Sequence, residues 1–475
     1  MKRLCLSLLL AHALPLDAAS TQQTRPNVLF IAIDDLNDWI GCMGGHPQAK
    51  TPHLDRLAKS GVMFTSAQCP APYCQPSRTA IFSGLRPSTT GIYHHLDVPF
   101  RQSARLKEAV TLTQHFKAGG YEVRGAGKVL HHGEPPSAAG GWDDYWPSQR
   151  ACMQWDEKPT SYPANGLPRL ENSLDWFAFD KPRESMADWK VTDYVVQQLA
   201  QAHEQPFFLA CGFFRPHSPL YAPREYFDRF PLDSIQLPRV PQDDLDDVPD
   251  YARKLNDDTH QRIVKAGKWK EAVQAYLACT AFVDDCVGRV LDALDASPHK
   301  DNTIVMLWSD HGWHLGEKNH WTKVTLWEEA TRTVFMVRAP GVTPAGKVCQ
   351  APVSLINIYP TLIDLCGLPA RAELEGVSLR PLLSDPAASG WTLPAVTTLR
   401  WKSHAVRTKD WKYIRYADGS EELYDEQQDP DEWNNLAGKP EHAAIIRELA
   451  QSLPEHDEIP FKVGRPDSKP SSSKN

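Results

Sequence analysis

The sequence predicts an α/β protein built around a buried and mainly parallel β-sheet. Three apolar runs, residues 26–33, 207–213 and 303–308, are rich in branched and aromatic side chains, which is typical of central strands covered on both faces. Each run is followed within four residues by carboxylate or histidine side chains. Because the carboxyl ends of parallel strands meet at one edge of a sheet, we expect a ligand site at that edge.

The first apolar run ends in two adjacent carboxylates, Asp34 and Asp35. A single aspartate after a strand commonly lies in a solvated turn, but a pair directly after a buried strand is less often found there. The third run leads to Asp310 and His311 and so repeats the arrangement. Carboxylates and imidazoles are metal-binding groups, and the two pairs together predict a metal site.

A second chemical feature is the stretch Cys74-Gln75-Pro76-Ser77-Arg78, which opens a predicted helix. Pro76 fits the first turn of a helix, where its missing N–H is not needed, and the free amides of a helix N-terminus suit an anion such as sulfate. Arg78 adds a planar cation that can hold two oxyanion oxygens or clamp a neighbouring nucleophile. The alternative for Cys74 is a buried structural thiol.

Two later segments place basic side chains after strands. Residues 125–133 follow a predicted strand and contain Lys128, His131 and His132. His217 follows the second apolar run. A lone histidine in such a position is more often structural than catalytic, so the residues alone leave the roles of these histidines open.

The rest of the chain reads as helices, loops and a small second sheet. Helices are predicted at about residues 188–202 and 270–294. Residues 134–190 contain five tryptophans among Gly, Pro and Asp, which indicates a loop-rich insertion whose aromatic rings either stack on a ligand or pack the insertion itself. Residues 226–258 read as a surface loop. Beyond about residue 388, alternating patterns predict an antiparallel sheet, with a helix near residues 440–453.

The two ends of the chain differ in composition from the middle. Residues 1–20 combine Lys2 and Arg3, an apolar run and small residues, which predicts an export signal; the alternative is a merely apolar terminus. Residues 466–475 are rich in Ser, Lys and Pro, which predicts disorder. No other stretch is long and apolar enough for a membrane helix, so we expect no membrane span in the mature protein.

Composition excludes some classes of function. The net charge of −8 and the lack of a Lys/Arg cluster argue against nucleic acid as a partner. Without Cys5 and Cys74, eight cysteines remain, an even number that permits disulfides although no spacing demands them. There is no Cys-x-x-Cys pair, so a thiolate metal site is not indicated.

The segment from Cys74 to Gly84 resembles the maturation signature of type I sulfatases, in which the cysteine becomes formylglycine. The resemblance continues in family order from about residue 26 to residue 436. It implies an alkaline-phosphatase-like α/β/α sandwich with a mainly parallel sheet and a smaller C-terminal α/β subdomain. The expected division is a catalytic domain at residues 21–387 and a C-terminal subdomain at residues 388–465.

The resemblance also implies a role for each candidate residue. One Ca²⁺ per chain would be held by Asp34, Asp35, Asp310, His311 and modified Cys74. Lys128, Lys323 and Arg78 would bind the sulfate or balance its charge, while His131 would act on the formylglycine hydrate and His217 would protonate the leaving group. Most of the family has Asn where this chain has His311, a departure that resembles the iduronate-2-sulfatase branch and leaves the fourth ligand in question, because Ca²⁺ prefers oxygen.

The function implied is removal of sulfate from a uronic-acid-containing polysaccharide or oligosaccharide. The expected partners are a sulfated glycan and a formylglycine-generating or equivalent maturation enzyme, and the expected location is the periplasm or the exterior. Two alternatives are a phosphonate monoester or phosphodiester hydrolase of the same superfamily and a catalytically silent protein that binds sulfated glycans.

Overall fold

The computed structural model describes residues 25–96, 103–131, 140–148 and 159–461. The predicted export signal, the tail at residues 466–475 and His132 lie outside these ranges. The strands are, in chain order, β1 Asn27–Ile33, β2 Val62–Phe64, β3 Ala67–Gln68, β4 Glu122–Gly127, β5 Asp144–Ser148, β6 Trp176–Phe179, β7 Phe207–Phe213, β8 Leu220–Pro223, β9 Thr303–Ser309, β10 His314–Leu315, β11 Trp321–Thr322, β12 Phe335–Arg338, β13 Lys347–Cys349, β14 Val353–Ser354, β15 Ala395–Thr398, β16 His404–Arg407, β17 Trp411–Arg415 and β18 Glu421–Asp425.

Helices of seven residues or more carry the labels α1 to α8. They are α1 Pro52–Ser60, α2 Cys74–Ser83, α3 Leu112–Ala118, α4 Ala187–Leu199, α5 Thr259–Lys265, α6 Trp269–Ala296, α7 Ile358–Leu365 and α8 Ala443–Ala450. Shorter helical turns are Pro87–Thr90, Arg224–Phe227, Asp250–Arg253, Glu328–Thr331 and Arg380–Ser384. The predicted helices at 188–202, 270–294 and 440–453 correspond to α4, α6 and α8. The predicted loop at 226–258 contains the end of the turn Arg224–Phe227, the 3₁₀ turn Leu232–Ser234 and the turn Asp250–Arg253.

Eight strands form the central sheet in the order β13-β2-β12-β9-β1-β7-β4-β5. All neighbours in this sheet pair in parallel except β12, which is antiparallel to both β9 and β2. The expected mainly parallel sheet is therefore confirmed. The three apolar runs are its three central strands, β9, β1 and β7, and every residue of these strands is buried.

Helices cover both faces of this sheet. Successive side chains of a strand point to opposite faces. On β1, Leu29, Ile31 and Ile33 pack with α1, α4 and α6, whereas Val28 and Phe30 pack with α2, α3 and α7. The alternation explains why the sequence of β1 is apolar throughout, and it confirms the predicted α/β/α sandwich.

The C-terminal subdomain is the antiparallel sheet β15-β16-β17-β18 with α8 packed on it. Its first strand is joined to the segment that precedes α2. The amide of Thr398 donates to the carbonyl of Pro70 at 2.9 Å, and the hydroxyl of Thr397 donates to the carbonyl of Cys69 at 2.6 Å. Residues 395–398 therefore reach the loop that leads to Cys74.

The insertion at residues 134–190 uses most of its described tryptophans for packing. Trp142, Trp176 and Trp189 are buried, whereas Trp146 is 54% exposed and Trp155 lies outside the described residues. The described cysteines, which include Cys74 but not Cys152, are all free thiols, so no disulfide forms among them. No helix in the described ranges combines the length and apolarity that crossing a membrane would require.

Candidate active site

Strand register brings the two predicted metal-binding pairs together. In the parallel pairing of β1 with β9, Ile33 lies opposite Ser309, so the residues that follow the two strands are neighbours. The amide of Asp35 donates to Asp310 Oδ1 at 3.2 Å, and His311 Nε2 lies 3.4 Å from Asp35 Oδ1. Asp34, Asp35, Asp310 and His311 are completely buried.

The strands on the other side of β1 supply Lys128 and His217. The Asp34 amide donates to the carbonyl of Phe213, the last residue of β7, at 3.2 Å. His217 follows, with Nε2 3.8 Å from Asp34 Oδ2 and from Asp35 Oδ2. At the end of β4, Lys128 Nζ donates to Asp34 Oδ2.

Close approach of β4 and β7 requires glycine. Gly127 has a φ of 76°, and a Cβ on it would lie 1.9 Å from the carbonyl oxygen of Gly212. Only a residue without a side chain lets these backbones meet, which is what directs Lys128 at Asp34. Packing of the site therefore explains Gly127, whereas a Cβ on Gly125 would meet the rings of Trp142 and Tyr145.

Helix α2 begins at Cys74 and fastens the site from the opposite face. The Ser77 hydroxyl donates to the carbonyl of Asp310 at 2.6 Å. Arg78 Nε donates to Asp310 Oδ2 at 2.8 Å, and its Nη2 donates to Asp34 Oδ1 at 3.1 Å. Nη1 donates to the carbonyls of Lys128 and Val129 at 2.5 and 2.9 Å. Arg78 therefore clamps the carboxylates that surround Cys74.

The Cys74 thiol lies at the centre of the cluster and is fully buried. Its Sγ is 3.0 Å from Lys323 Nζ, 3.4 Å from His311 Nε2 and 3.8 Å from Lys128 Nζ. Lys323 also donates to Asp35 Oδ1 at 2.6 Å. One ring nitrogen of His131 lies within 4.8 Å of Sγ, so the structure brings all ten predicted site residues together.

Charges and burial set the ionisation of this cluster. Burial would raise the pKa of Asp34, but the charges of Lys128 and Arg78 hold it well below its usual range. Burial raises the pKa of Asp35 to about 8, although Lys323 opposes the shift. Burial, reinforced by Asp34, raises the pKa of the Cys74 thiol. The unmodified cysteine is therefore a neutral thiol rather than a ready nucleophile.

The two histidines at the carboxylates are neutral in the free protein. Burial lowers the pKa of His311 to about 4. Burial and the charges of Lys128 and Lys323 hold the pKa of His217 well below its usual range. Arg78 and Lys323 show the opposite effect: burial would lower their pKa values, but the surrounding carboxylates raise them, so both stay cationic.

The donor set fits a hard divalent cation. Asp35 Oδ2 is buried and has no hydrogen-bond partner among the described residues, so it is available to a ligand. One donor atom from each of Asp34, Cys74, Asp310 and His311 lies within 4.8 Å of the others. The carboxylates of Asp34, Asp35 and Asp310 supply oxygen ligands and His311 supplies nitrogen, so the set can hold a divalent metal ion. The geometry can hold a cation and an anion side by side, because lysine ammonium groups border the carboxylates.

Comparison with known proteins identifies this arrangement. The model of the sulfatase family matches residues 26–368, most of the chain and every residue of the cluster. The chain belongs to the type I sulfatase family. A second model, the C-terminal region of N-sulphoglucosamine sulphohydrolase, matches residues 316–458 of the sulfatase.

Three proteins place the sulfatase among its relatives. A sulfatase from Formosa agariphila is 43% identical over 441 residues, covering 90% of this chain and 86% of its own. Human iduronate 2-sulfatase is 28% identical over 470 residues, covering 82% of this chain and 84% of its own. A phosphonate monoester hydrolase from Silicibacter pomeroyi has a TM-score of 0.74 at 23% identity, with 90% and 94% coverage, and shares the fold.

Sequence reasoning missed two residues beside Cys74. The ring of His95 stacks on Tyr73, with centroids 3.8 Å apart, and on His131 at 4.0 Å. His95 is 21 residues from Cys74 and lies outside the signature segment from Cys74 to Gly84. Its neighbour His94 makes a histidine pair soon after the signature helix, which is the one local signal that marks the position.

Proposed function

We propose that the sulfatase hydrolyses sulfate esters on a uronic-acid-containing carbohydrate, with formylglycine at position 74 and one bound Ca²⁺. The observation that carries this proposal is the environment of Cys74 Sγ. Two lysine ammonium groups lie within 3.8 Å of it, and carboxylates with an available buried oxygen lie next to them. Such a place can hold a sulfate ester and a cation together at position 74.

Lys128 and Lys323 bind and neutralise the sulfate group in this proposal. Both cations are buried and fixed by carboxylates, so they need little reorganisation when negative charge builds up on the transferring group. Arg78 donates hydrogen bonds to Asp34, Asp310 and two backbone carbonyls, so it positions the carboxylates rather than the substrate.

Proton transfer is assigned to His217 and His131. His217 is neutral in the free protein, and the negative charge of a bound sulfate ester would favour its protonated form, which can then give a proton to the departing alcohol. His131 has a ring nitrogen near Sγ of position 74 and is held by the stack on His95. It would accept a proton from position 74 when sulfate is released.

The two additions to the polypeptide supply the remaining chemistry. Asp34, Asp35, Asp310 and His311 would hold Ca²⁺, whose charge favours an ionised hydroxyl at position 74. Formylglycine in its hydrated form supplies one hydroxyl for attack and a second that lets the sulfate ester break down. A thiol lacks the second oxygen, which is why maturation of Cys74 is required.

The choice of a uronic acid substrate is supported by the relatives. Human iduronate 2-sulfatase is similar to this chain over most of its length. His311 is the residue by which the sequence resembles that branch. The shared fold with a phosphonate monoester hydrolase makes phosphonate or phosphodiester hydrolysis the result to exclude. The second alternative to exclude is a protein that binds sulfated glycans without hydrolysing them.

The test combines mass spectrometry with a substrate panel. The tryptic fragment Ser60–Arg78 contains Cys74 and, as an internal control, Cys69. On protein made with a formylglycine-generating enzyme, we expect a fragment lighter by the change from CH₂SH to CHO, with alkylation at Cys69 alone. This protein should release sulfate from 2-sulfated uronate and leave aryl phosphonate and phosphodiester substrates nearly unchanged. Glycan binding without sulfate release would contradict the proposal.

Removal of the cation should affect both stability and activity. We expect EDTA to lower the melting temperature and to abolish sulfate release, and Ca²⁺ to restore both, because a bound ion stabilises the state that binds it. Asp35→Asn should weaken Ca²⁺ binding about tenfold or more in calorimetry, since it removes charge at the available oxygen. Asp292→Asn, whose side chain is 61% exposed on α6, is the matched control and should bind Ca²⁺ normally.

The remaining proposals concern domains, location and partners. Residues 1–20 are proposed as an export signal, which would place the mature sulfatase in the periplasm or outside the cell, where it would meet a sulfated glycan. The division into residues 21–387, 388–465 and 466–475 stays a prediction. Maturation of Cys74 would require a formylglycine-generating or equivalent enzyme as a transient partner.

A further inference from the structure

An aromatic stack lies beside position 74. The rings of Tyr73 and His95 are nearly parallel, at 9°, and His131 continues the stack at 27°. His95 Nε2 is buried and has no hydrogen-bond partner among the described residues. Burial of a polar atom without a partner is costly, so His95 Nε2 is a candidate for contact with a ligand.

Glu171 supplies a second polar atom of this kind. It begins the short 3₁₀ helix Glu171–Ser173, which is attached to the walls of the site. Asn172 Nδ2 donates to Thr322 Oγ1 at 2.8 Å, next to Lys323, and the Ser218 hydroxyl donates to the carbonyl of Ser173 at 2.9 Å, next to His217. Glu171 Oε2 is buried without a hydrogen-bond partner in the described part of the chain.

The C-terminal subdomain brings a cation toward the segment that contains Tyr73. β15 is bonded to Pro70, and the turn after it closes with the Leu399 amide donating to the carbonyl of Ser403 at 2.8 Å. Arg400 lies in this turn, is exposed, and forms no ion pair with any described residue. Its guanidinium is therefore available to a ligand.

Electrostatic effects agree with this placement. Burial and Asp257 raise the pKa of Glu171 to about 8, and the charge of Arg400 opposes that rise. Arg400 therefore acts on Glu171, although the two residues lie in separate segments of the chain.

We propose that Tyr73, His95, Glu171 and Arg400 form the subsite for the sugar that carries the sulfate, and that Arg400 binds the carboxylate of a uronic acid. The inference rests on the proposed function and adds how the sugar is chosen. A guanidinium pairs with a carboxylate through two parallel hydrogen bonds. The available atoms of His95 and Glu171 suit sugar hydroxyls, and the Tyr73 ring, stacked on His95, forms the wall next to position 74.

The test compares a 2-sulfated uronate disaccharide with its methyl ester, which keeps the sugar and the sulfate but lacks the carboxylate charge. Wild-type matured enzyme should prefer the acid in kcat/KM. Arg400→Gln should raise KM for the acid by roughly 10- to 100-fold, because loss of a charge-assisted hydrogen bond weakens binding by about that factor. The KM for the ester should change far less. The preference for the acid would then disappear.

Lys402→Gln is the matched control. Lys402 belongs to the same turn, carries the same charge and has the same left-handed backbone, with a φ of 62° against 57° for Arg400. Its Nζ lies over the ring of Trp401, 4.3 Å from the centroid. We expect the KM values of Lys402→Gln to match those of the wild type. An equal rise of KM for the acid in Lys402→Gln and Arg400→Gln would indicate only a general effect of charge.

His95→Ala tests the rest of the subsite. We expect KM to rise about tenfold for acid and ester alike, because the lost partner is a hydroxyl that both substrates carry. Equal rates of the wild type on acid and ester, or an Arg400→Gln variant that keeps its preference, would overturn the subsite while leaving sulfatase activity established. Absence of sulfate release from every substrate would instead refute the proposed function.

Discussion

Replacing Cys74 with alanine is expected to lower kcat for sulfate release by ~10⁴-fold or more, the scale seen when a catalytic nucleophile is removed. No other residue in the cluster can be oxidised to formylglycine in its place. Folding should be nearly unaffected, because the charged groups that contact Sγ have other partners. Lys323 would still donate to Asp35, and Lys128 would still donate to Asp34. Sulfate release and the melting temperature should be measured on the same preparation.

Cys69→Ala is the matched control for this prediction. Cys69 is also fully buried and lies five residues before Cys74, but its Sγ points to the carbonyl of Ala330, at 3.7 Å, and packs in the core. The Cys69 variant should lose some stability and keep the activity of each folded molecule. Comparable activity in the Cys74 and Cys69 variants would contradict a catalytic role for position 74.

Replacing Arg78 with alanine is expected to destabilise the protein by about 3–5 kcal/mol in the presence of EDTA. Arg78 is 1% exposed and pairs with Asp34 and Asp310, both fully buried, so its loss leaves two buried carboxylates short of a counter-charge. Ca²⁺ should recover part of the loss, because a cation at the carboxylates takes over the same compensation. Denaturant unfolding with and without Ca²⁺ measures both effects.

Arg253→Ala controls for the loss of an ion pair as such. Arg253 and Asp250 form a salt bridge of 2.5 Å on the surface, with exposed fractions of 42% and 76%. Exposed pairs contribute little to the free energy of unfolding, so this variant should unfold nearly like the wild type. If Arg78→Ala lowered the free energy of unfolding no more than Arg253→Ala does, the contacts of Arg78 with the carboxylates would be unimportant for folding.

The central strands and the residues after them could be predicted from the sequence. β1, β7 and β9 are continuous apolar runs because both of their faces are covered, and the predicted bounds differ from the observed ones by one residue at most. Asp34, Asp35, Asp310 and His311 follow these strands directly, so local sequence places them at one edge. The signature around Cys74 added the helix that faces them.

Contacts between distant segments could not be predicted in this way. The antiparallel insertion of β12 between β9 and β2 depends on packing of the whole sheet, since its four residues read like any other apolar strand. Arg400 and Glu171 are brought toward the segment of Tyr73 by bonds between distant parts of the chain, from β15 to Pro70 and from Asn172, beside Glu171, to Thr322. Each of these residues is unremarkable in its own stretch of sequence.

The complete burial of Cys74 also orders events in time. A maturation enzyme must reach the thiol, yet in the folded chain strands from both halves of the sheet and the lysines of two loops enclose it. Under the proposed maturation, oxidation would occur on the newly made chain, before β9 and its loop close over position 74. A chain that folded first would keep an inert thiol, so the yield of active molecules would depend on whether modification precedes folding.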